Sequence, residues 1–550
     1  MSPPSAPSRA PVVCGALGRY DRERVLRIAA ALDPALRPVH EDERSILLLD
    51  REPLHWNGQG QHGLGWIEGL TWTGGASDWR DASRRGACGL AIEGRHRHLH
   101  SSINGLGPVY WTADGGGAYF ASRIDPLART AGRPLSVDWD AWASIVALRF
   151  PPGEQTPFAE IRRLEPFSVL GRRWGRFRTQ SPALPWVDVE PRLDLEPAAE
   201  AVAEALRETV TALEPPLAVG LSGGRDSRIV ACLLAQAGHD PDTWTVSDDE
   251  GDTFEEDLAE PAAAALGLRH ERLPADADRY RDDWEYRARA VEHQFVDHAW
   301  LVPLARRIEA AGVSVGDGYA IDTLMLGGTR FGFPATPDPR RPRRTNEMLF
   351  DAMRRYGMAH EAIEPALQDP LVARARDQFI GAAAQFEGSV LQTTLSFYRT
   401  RTARGVSSYP SGLLGSVAPV FAPGAADGVA MAVLSAKREV MGDPIYEALL
   451  EQLDPRLARL PTTGGTERRP PHLPRRWRSP QALEMHRDLL GDGPLAPFVS
   501  AGLRDWLAAP DGRELSPGLR LGMEGISLFH SWWRRYRDLL KPVDARELAG

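Results

Sequence analysis

The stretch Leu217-Ala-Val-Gly-Leu-Ser-Gly-Gly-Arg-Asp-Ser-Arg-Ile229 decides the fold of the larger part of this chain. Leu217 to Leu221 is an apolar run with the length of a short buried strand. Ser222-Gly223-Gly224 interrupts it, and the residues after Asp226 predict a helix over Ser227–Ala237. Consecutive glycines let backbone N–H groups turn inward without a side-chain clash. Those N–H groups, the Ser222 and Ser227 hydroxyls and the helix N-terminus make an anion cradle. No Gly-Lys-Ser/Thr occurs here, so the loop is not of the Walker type.

Working outward, strand and helix patterns alternate. Leu195–Leu213 reads as a helix with Pro197 in its first turn, Thr243–Ser247 as a strand and Leu258–Leu266 as a helix. Arg269–Leu273 extends again. Such alternation predicts a doubly wound parallel sheet. Ligands of such sheets bind beyond the carboxyl ends of the strands. Leu221 and Ser247 stand at those ends. From about residue 340 the pattern is mainly helical. Near the end, Ile526, Phe529, Trp533, Tyr536 and Leu540 follow a 3-4-3-4 spacing, one apolar helix face. The segments Thr336–Arg344 and Arg468–Arg478 read as solvated Arg/Pro loops, with guidance of an acidic peptide or phosphate as the alternative.

Residues 12–180 are different in kind. Val12–Gly18, Ser45–Leu49, Ala118–Ser122 and Val169–Phe177 carry strand signals beside Gly-rich turns, while Arg22–Leu32 and Trp139–Ala147 are the clearest helices. This predicts an α+β domain of packed antiparallel sheets. A Pro- and acid-rich stretch, Pro182–Pro197, separates the two parts. The expected organisation is a disordered arm over 1–11, an α+β sandwich over 12–181, and an α/β unit with a helical C-terminal part over 195–550.

Composition agrees with a globular chain: 43% of the 550 residues are hydrophobic and 25% charged. Mean hydropathy is −0.33, and no run approaches the roughly 18 apolar residues of a membrane helix. The net charge of −9 opposes general nucleic-acid binding. Cys14, Cys88 and Cys232 form no CxxC pair, which points away from a disulfide framework or zinc site and towards the cytoplasm. Among 65 basic residues only Lys437 and Lys541 are lysines, so an essential ammonium has two candidates.

The Ser222-Gly-Gly-Arg-Asp-Ser227 loop resembles the pyrophosphate loop of the N-type ATP pyrophosphatases. That resemblance implies cleavage of ATP between the α and β phosphates, with Leu221, Ser222, Gly223, Gly224, Arg225, Asp226, Ser227, Arg228, Ser247 and Gly316 holding the nucleotide. Arg228 reads equally well as a surface charge. Asp252-Thr-Phe-Glu-Glu-Asp257 with Leu266-Gly-Leu-Arg-His270, and Gly316-Asp-Gly318 with Asp322, resemble further segments of the asparagine synthetase superfamily. The resemblance implies that Asp226 and Asp322 bind Mg²⁺, and that Asp317 lies beside an acyl-adenylate, where it can accept a proton.

The first domain resembles class II glutamine amidotransferases through Cys14-Gly-Ala-Leu-Gly18, Leu106-Gly-Pro-Val-Tyr-Trp111, Tyr119-Phe-Ala-Ser122 and Thr156–Leu164. Its ammonia-producing machinery is missing. The family nucleophile is a first-residue Cys whose own α-amine acts as base. Here thirteen residues precede Cys14, and no Arg-Gly-Pro-Asp or Asn-Gly-Glu-Ile occurs. The synthetase half therefore needs an amine from its own substrate. Two branches of the superfamily work this way: β-lactam synthetases and lasso-peptide macrolactam cyclases. The form Ser-Gly-Gly-Arg-Asp-Ser-Arg is most similar to the latter. The leading expectation is an ATP- and Mg²⁺-dependent macrolactam synthetase acting on a ribosomal precursor peptide. A leader-binding protein and a leader peptidase are expected as partners, with no nucleic acid and no membrane. A small-molecule amide or β-lactam synthetase and a non-catalytic nucleotide-binding protein are the alternatives. Lys437, Arg468 and Arg469 lie near the position of the family's catalytic Lys, and that role stays unassigned.

Overall fold

The computed structural model describes residues 9–549 apart from 59, 212, 215, 328–339, 356–358, 468–471 and 511–513. In the N-terminal half, alternating apolar strands build two antiparallel six-stranded sheets. One is centred on β1 (Val13–Gly18), which lies between Gly117–Ala121 and Ser45–Leu49. The other is ordered Arg176–Gln180, Val169–Arg173, His96–His100, Ala87–Glu93, Gln61–Ile67, Leu54–Gly58. Leu17, Leu47 and Phe120 of the first sheet and Trp66, Leu90 and Leu99 of the second share one buried apolar layer. The expected packing of antiparallel sheets is observed. Ala10 is buried and its N–H donates to Gly415 O at 2.9 Å, while Arg9 pairs with Asp33. Arg9–Pro11 are thus packed rather than disordered, and residues 1–8 lie outside the described residues.

The second half opens with α1 (Leu195–Thr209), four residues shorter than its apolar pattern suggests. Five parallel strands follow: β2 (Leu217–Gly220), β3 (Asp242–Val246), β4 (His270–Leu273), β5 (Ser314–Gly316) and β6 (Val420–Phe421), in the order β4-β3-β2-β5-β6. Helices α2 (Arg225–Gln236), α3 (Phe254–Leu266), α4 (Tyr280–Ala290) and α5 (Ile321–Leu326) fill the connections. The sequence placed the start of α3 at Leu258, but it begins at Phe254. Glu255, Glu256 and Asp257 occupy its first turn, where acids complement the helix dipole. Beyond the sheet, α6 (Asp443–Leu453) packs on α1. Helix α7 (Pro517–Tyr536) returns to the N-terminal half: Phe529 and Trp532 stack on Trp142 with ring centres 5.0 and 5.2 Å apart. The face differs from the expected one in two places. Trp532 is fully buried while Trp533 is half-buried, and Leu540 lies past the helix end. No helix among the described residues is long and apolar enough to cross a membrane.

Candidate active site

The apolar run of β2 is buried between two parallel neighbours, so its loop emerges at the carboxyl edge of the sheet. Leu221 is core: its N–H donates to Trp244 O at 2.9 Å. The loop then closes on itself. Ser222 N–H donates to Ser227 Oγ at 3.0 Å, the two hydroxyls are 3.0 Å apart, and Gly224 N–H donates to Ser222 Oγ at 3.1 Å. A side chain at Gly223 would bring its Cβ within 2.8 Å of both Leu258 Cβ and Thr463 Cγ2. Glycine is required there by close approach. Gly223 N–H donates to Glu255 Oε2 at 2.7 Å, so the N–H groups of Ser222, Gly223 and Gly224 are all committed inside the protein.

Three carboxylates gather around this loop. Asp226 opens α2, and Gly318 packs against it so closely that a Cβ there would lie 2.6 Å from Asp226 Cβ. Asp317 follows β5. Its N–H donates to Phe421 O at 2.8 Å and its Oδ1 accepts Tyr319 N–H at 2.8 Å. Burial, with Asp322's charge adding to it, pushes the Asp317 carboxyl up to about 6. Asp322, in the first turn of α5, accepts the Thr323 hydroxyl at 3.1 Å. The loop carrying these acids is anchored to the N-terminal half by Tyr319, whose hydroxyl donates to Asn104 O at 2.7 Å. Tyr446, on α6, is raised well above the usual phenol range by burial and then by the charges of Asp226 and Asp322. One phenol therefore sits in the field of both acids.

Not every expected contact is made. Arg228 is neither a surface charge nor directed at the cradle. It is fully buried, and its guanidinium donates to the carbonyls of Gly223 (3.3 Å), Leu258 (3.1 Å), Leu460 (3.4 Å) and Pro461 (2.6 Å). Burial lowers its pKa to about 10. It brackets the loop, α3 and a distant segment together. Ser247 donates to Glu256, and Gly316 is a packing position where a Cβ would meet Val230 Cγ1 at 2.8 Å. Arg225 Nη1 donates to Asp443 Oδ1 at 2.5 Å. Lys437 is at the surface, donating to Asp194 Oδ1 at 2.7 Å, and Arg468 and Arg469 lie outside the described residues.

Residues 472–478 of the Arg/Pro segment are held by hydrogen bonds: the His472 and Leu473 N–H groups donate to Gly251 O at 3.0 and 2.8 Å, in the loop after β3. Arg476 is buried and donates to Asp249 Oδ1 at 2.9 Å and Asp283 Oδ2 at 2.5 Å. Upstream of the segment, Thr463 N–H donates to Gly223 O at 3.1 Å, in the loop after β2. Arg475–Arg478 are correspondingly not a free solvated loop. Of the other segment, Pro342–Arg344 open a helix and 336–339 lie outside the described residues.

In the first domain, Cys14 is an interior residue of β1, paired with Leu48 and Ala121 across the ladder and fully buried. Burial pushes its thiol up to about 12. Its nitrogen is part of a peptide continuous with the packed Arg9–Val13 segment. No thiolate and no free α-amine is available at that position.

Residues 198–443 match the asparagine synthase family model, which supports the asparagine synthetase superfamily for this part of the chain. The chain is similar to glutamine-hydrolysing asparagine synthetase 1 of Bacillus subtilis (strain 168), 24% identical over 311 residues, covering 54% of this chain. It spans about half, 47%, of that relative's length. A solved glutamine phosphoribosylpyrophosphate amidotransferase from B. subtilis, complexed with ADP and GMP, aligns at 10% identity with a TM-score of 0.21. That alignment covers 48% of this chain and 65% of the other.

Proposed function

We propose that this chain, whose central segment matches the asparagine synthase family, is an ATP-dependent amide-bond-forming synthetase that closes a ring within a ribosomally made peptide. The family match supports the synthetase in general. The observation that carries the finer reading is the state of Cys14: sealed in a strand with its thiol raised to about 12, it is not placed as a glutaminase nucleophile. We therefore read the attacking amine as one that the substrate itself carries. Of substrates bearing both amine and acid, we read a peptide, in keeping with the resemblance of the Ser-Gly-Gly-Arg-Asp-Ser-Arg loop to the lasso-peptide cyclases.

In this reading the loop Ser222–Ser227 holds the nucleotide phosphates. A side-chain carboxylate of the peptide attacks the α-phosphorus, pyrophosphate leaves, and the N-terminal amine then attacks the acyl carbon and expels AMP. Asp226 and Asp322 would hold Mg²⁺, which when bound offsets phosphate charge. Two carboxylates fit a cation that keeps phosphate and water ligands. Among the described residues no cluster of three or more His, Cys, Asp or Glu side chains is built to hold a metal by itself. Asp317, at the end of β5, accepts a proton from the amine. A leader-binding protein and a peptidase belong to the same proposal as partners in the cytoplasm. The test is exchange of labelled pyrophosphate into ATP with a candidate precursor core peptide. Exchange that needs the peptide, and is abolished by Asp226→Ala in a folded protein, supports the reading. Exchange or turnover unaffected by Asp226→Ala refutes it. ADP as the main product refutes it as well.

A further inference from the structure

The first turn of α6 supplies a partner to each of the two charged residues in the first turn of α2. Tyr446 is 2% exposed, and its hydroxyl donates to Asp226 Oδ1 at 2.5 Å. Asp443 accepts Arg225 Nη1 at 2.5 Å. The spacing of three residues puts Asp443 and Tyr446 on one helix face. The Arg225 guanidinium also lies 5.3 Å from the centre of the Tyr446 ring, within cation–π range. Helix α6 is in turn packed on α1 and α2.

This contact is chemically specific. An Asp at the mouth of a helix can adopt several rotamers, and a second acid, Asp322, shares its surroundings. The Tyr446 hydroxyl donates to one carboxylate oxygen of Asp226 and so fixes the direction of that side chain. Hydrogen-bond partners of metal-ligating carboxylates act in this way. We infer that Tyr446 is a positioning residue for the cation–phosphate site, orienting Asp226 from a helix that begins where the family match ends, at residue 443. The inference rests on the nucleotide reading above and adds to it a residue beyond the matched span. It also gives the C-terminal helical part a role in nucleotide binding.

Tyr446→Phe removes only the hydroxyl and keeps the ring beneath Arg225. The experiment is calorimetric titration of Mg²⁺ with α,β-methylene-ATP into the full chain, without turnover. It compares wild type, Tyr446→Phe, Asp226→Asn and the double variant, with the melting temperature of each nucleotide-free protein. We expect Tyr446→Phe to weaken binding by about tenfold with a melting temperature close to wild type. In the double variant the Tyr446 change should add nothing to the loss caused by Asp226→Asn. Equal binding by Tyr446→Phe and wild type overturns the inference. So does a penalty that adds in full on top of Asp226→Asn, since Tyr446 would then act without Asp226. If wild type binds no Mg²⁺ nucleotide, the nucleotide reading falls first.

Discussion

Asp317 combines a strand-end position, a fixed backbone and a raised carboxyl, and each bears on proton transfer. The attacking N-terminal amine is largely an ammonium at neutral pH, with an ordinary pKa of about 7.7–8.0. It must lose a proton to attack. A carboxyl near 6 is ionised at neutral pH and becomes protonated below that value, so it works as a base only on the alkaline side. Ring closure should therefore fall as pH drops through about 6. Asp317→Asn should slow product formation by about 10²–10⁴-fold and remove that limb of the profile, while pyrophosphate exchange persists. Single-turnover rates across pH, beside exchange rates, check this. Equal loss of exchange and closure would put Asp317 with the phosphate ligands instead. At this scale the sequence was legible where a residue acts on its neighbours. Asp226 follows a strand end that a local apolar run reveals, while Asp317 and Asp322 were reached through the family resemblance. Arg228 was misjudged because its partners Leu460 and Pro461 lie more than 230 residues away.

The element that does most to shape the site is the turn between β2 and α2. Its glycine at 223 is squeezed between Leu258 of α3 and Thr463 of the distant segment. Gly223→Ala must push one of them aside, and the Leu258 contact is at its Cβ, close to backbone. The variant should lose ATP binding by at least about tenfold, because the loop carbonyl that Arg228 and Thr463 share would move. Calorimetry with the non-hydrolysable nucleotide checks it, and wild-type affinity in a folded Gly223→Ala protein would contradict the described packing. Strands, the turn and most helices were readable because periodicity and glycine placement are local properties. Glu255 and Tyr446 were not, since they reach the loop from 32 and 220 residues away. The acidic stretch Asp252–Asp257 was the only signal for Glu255. The Arg/Pro composition of 468–478 pointed to a solvated loop, but Asp249 and the buried Asp283 capture Arg476.

Across the whole molecule, the N-terminal sheets are tied to the half that carries the Ser222–Ser227 loop. Tyr319 reaches Asn104, Trp532 meets Trp142, and Cys14 is an interior residue of a sheet. The first domain is accordingly expected to be structural. Cys14→Ala should retain full synthetase activity, and added glutamine should change nothing, as measured by AMP release with and without glutamine. Glutamine hydrolysis abolished by Cys14→Ala would restore the catalytic role. The central claim is that an amine and an acid of one peptide are joined at the cost of one ATP cleaved to AMP and pyrophosphate. Mass spectrometry of a candidate core peptide after incubation with the chain, Mg²⁺ and ATP, alongside chromatography of the nucleotides, tests it most directly. The account predicts a peptide lighter by one water, an internal amide between its N-terminus and an Asp or Glu side chain, and one AMP per ring. An unchanged peptide with AMP formed only on addition of ammonia or a small amine would contradict it.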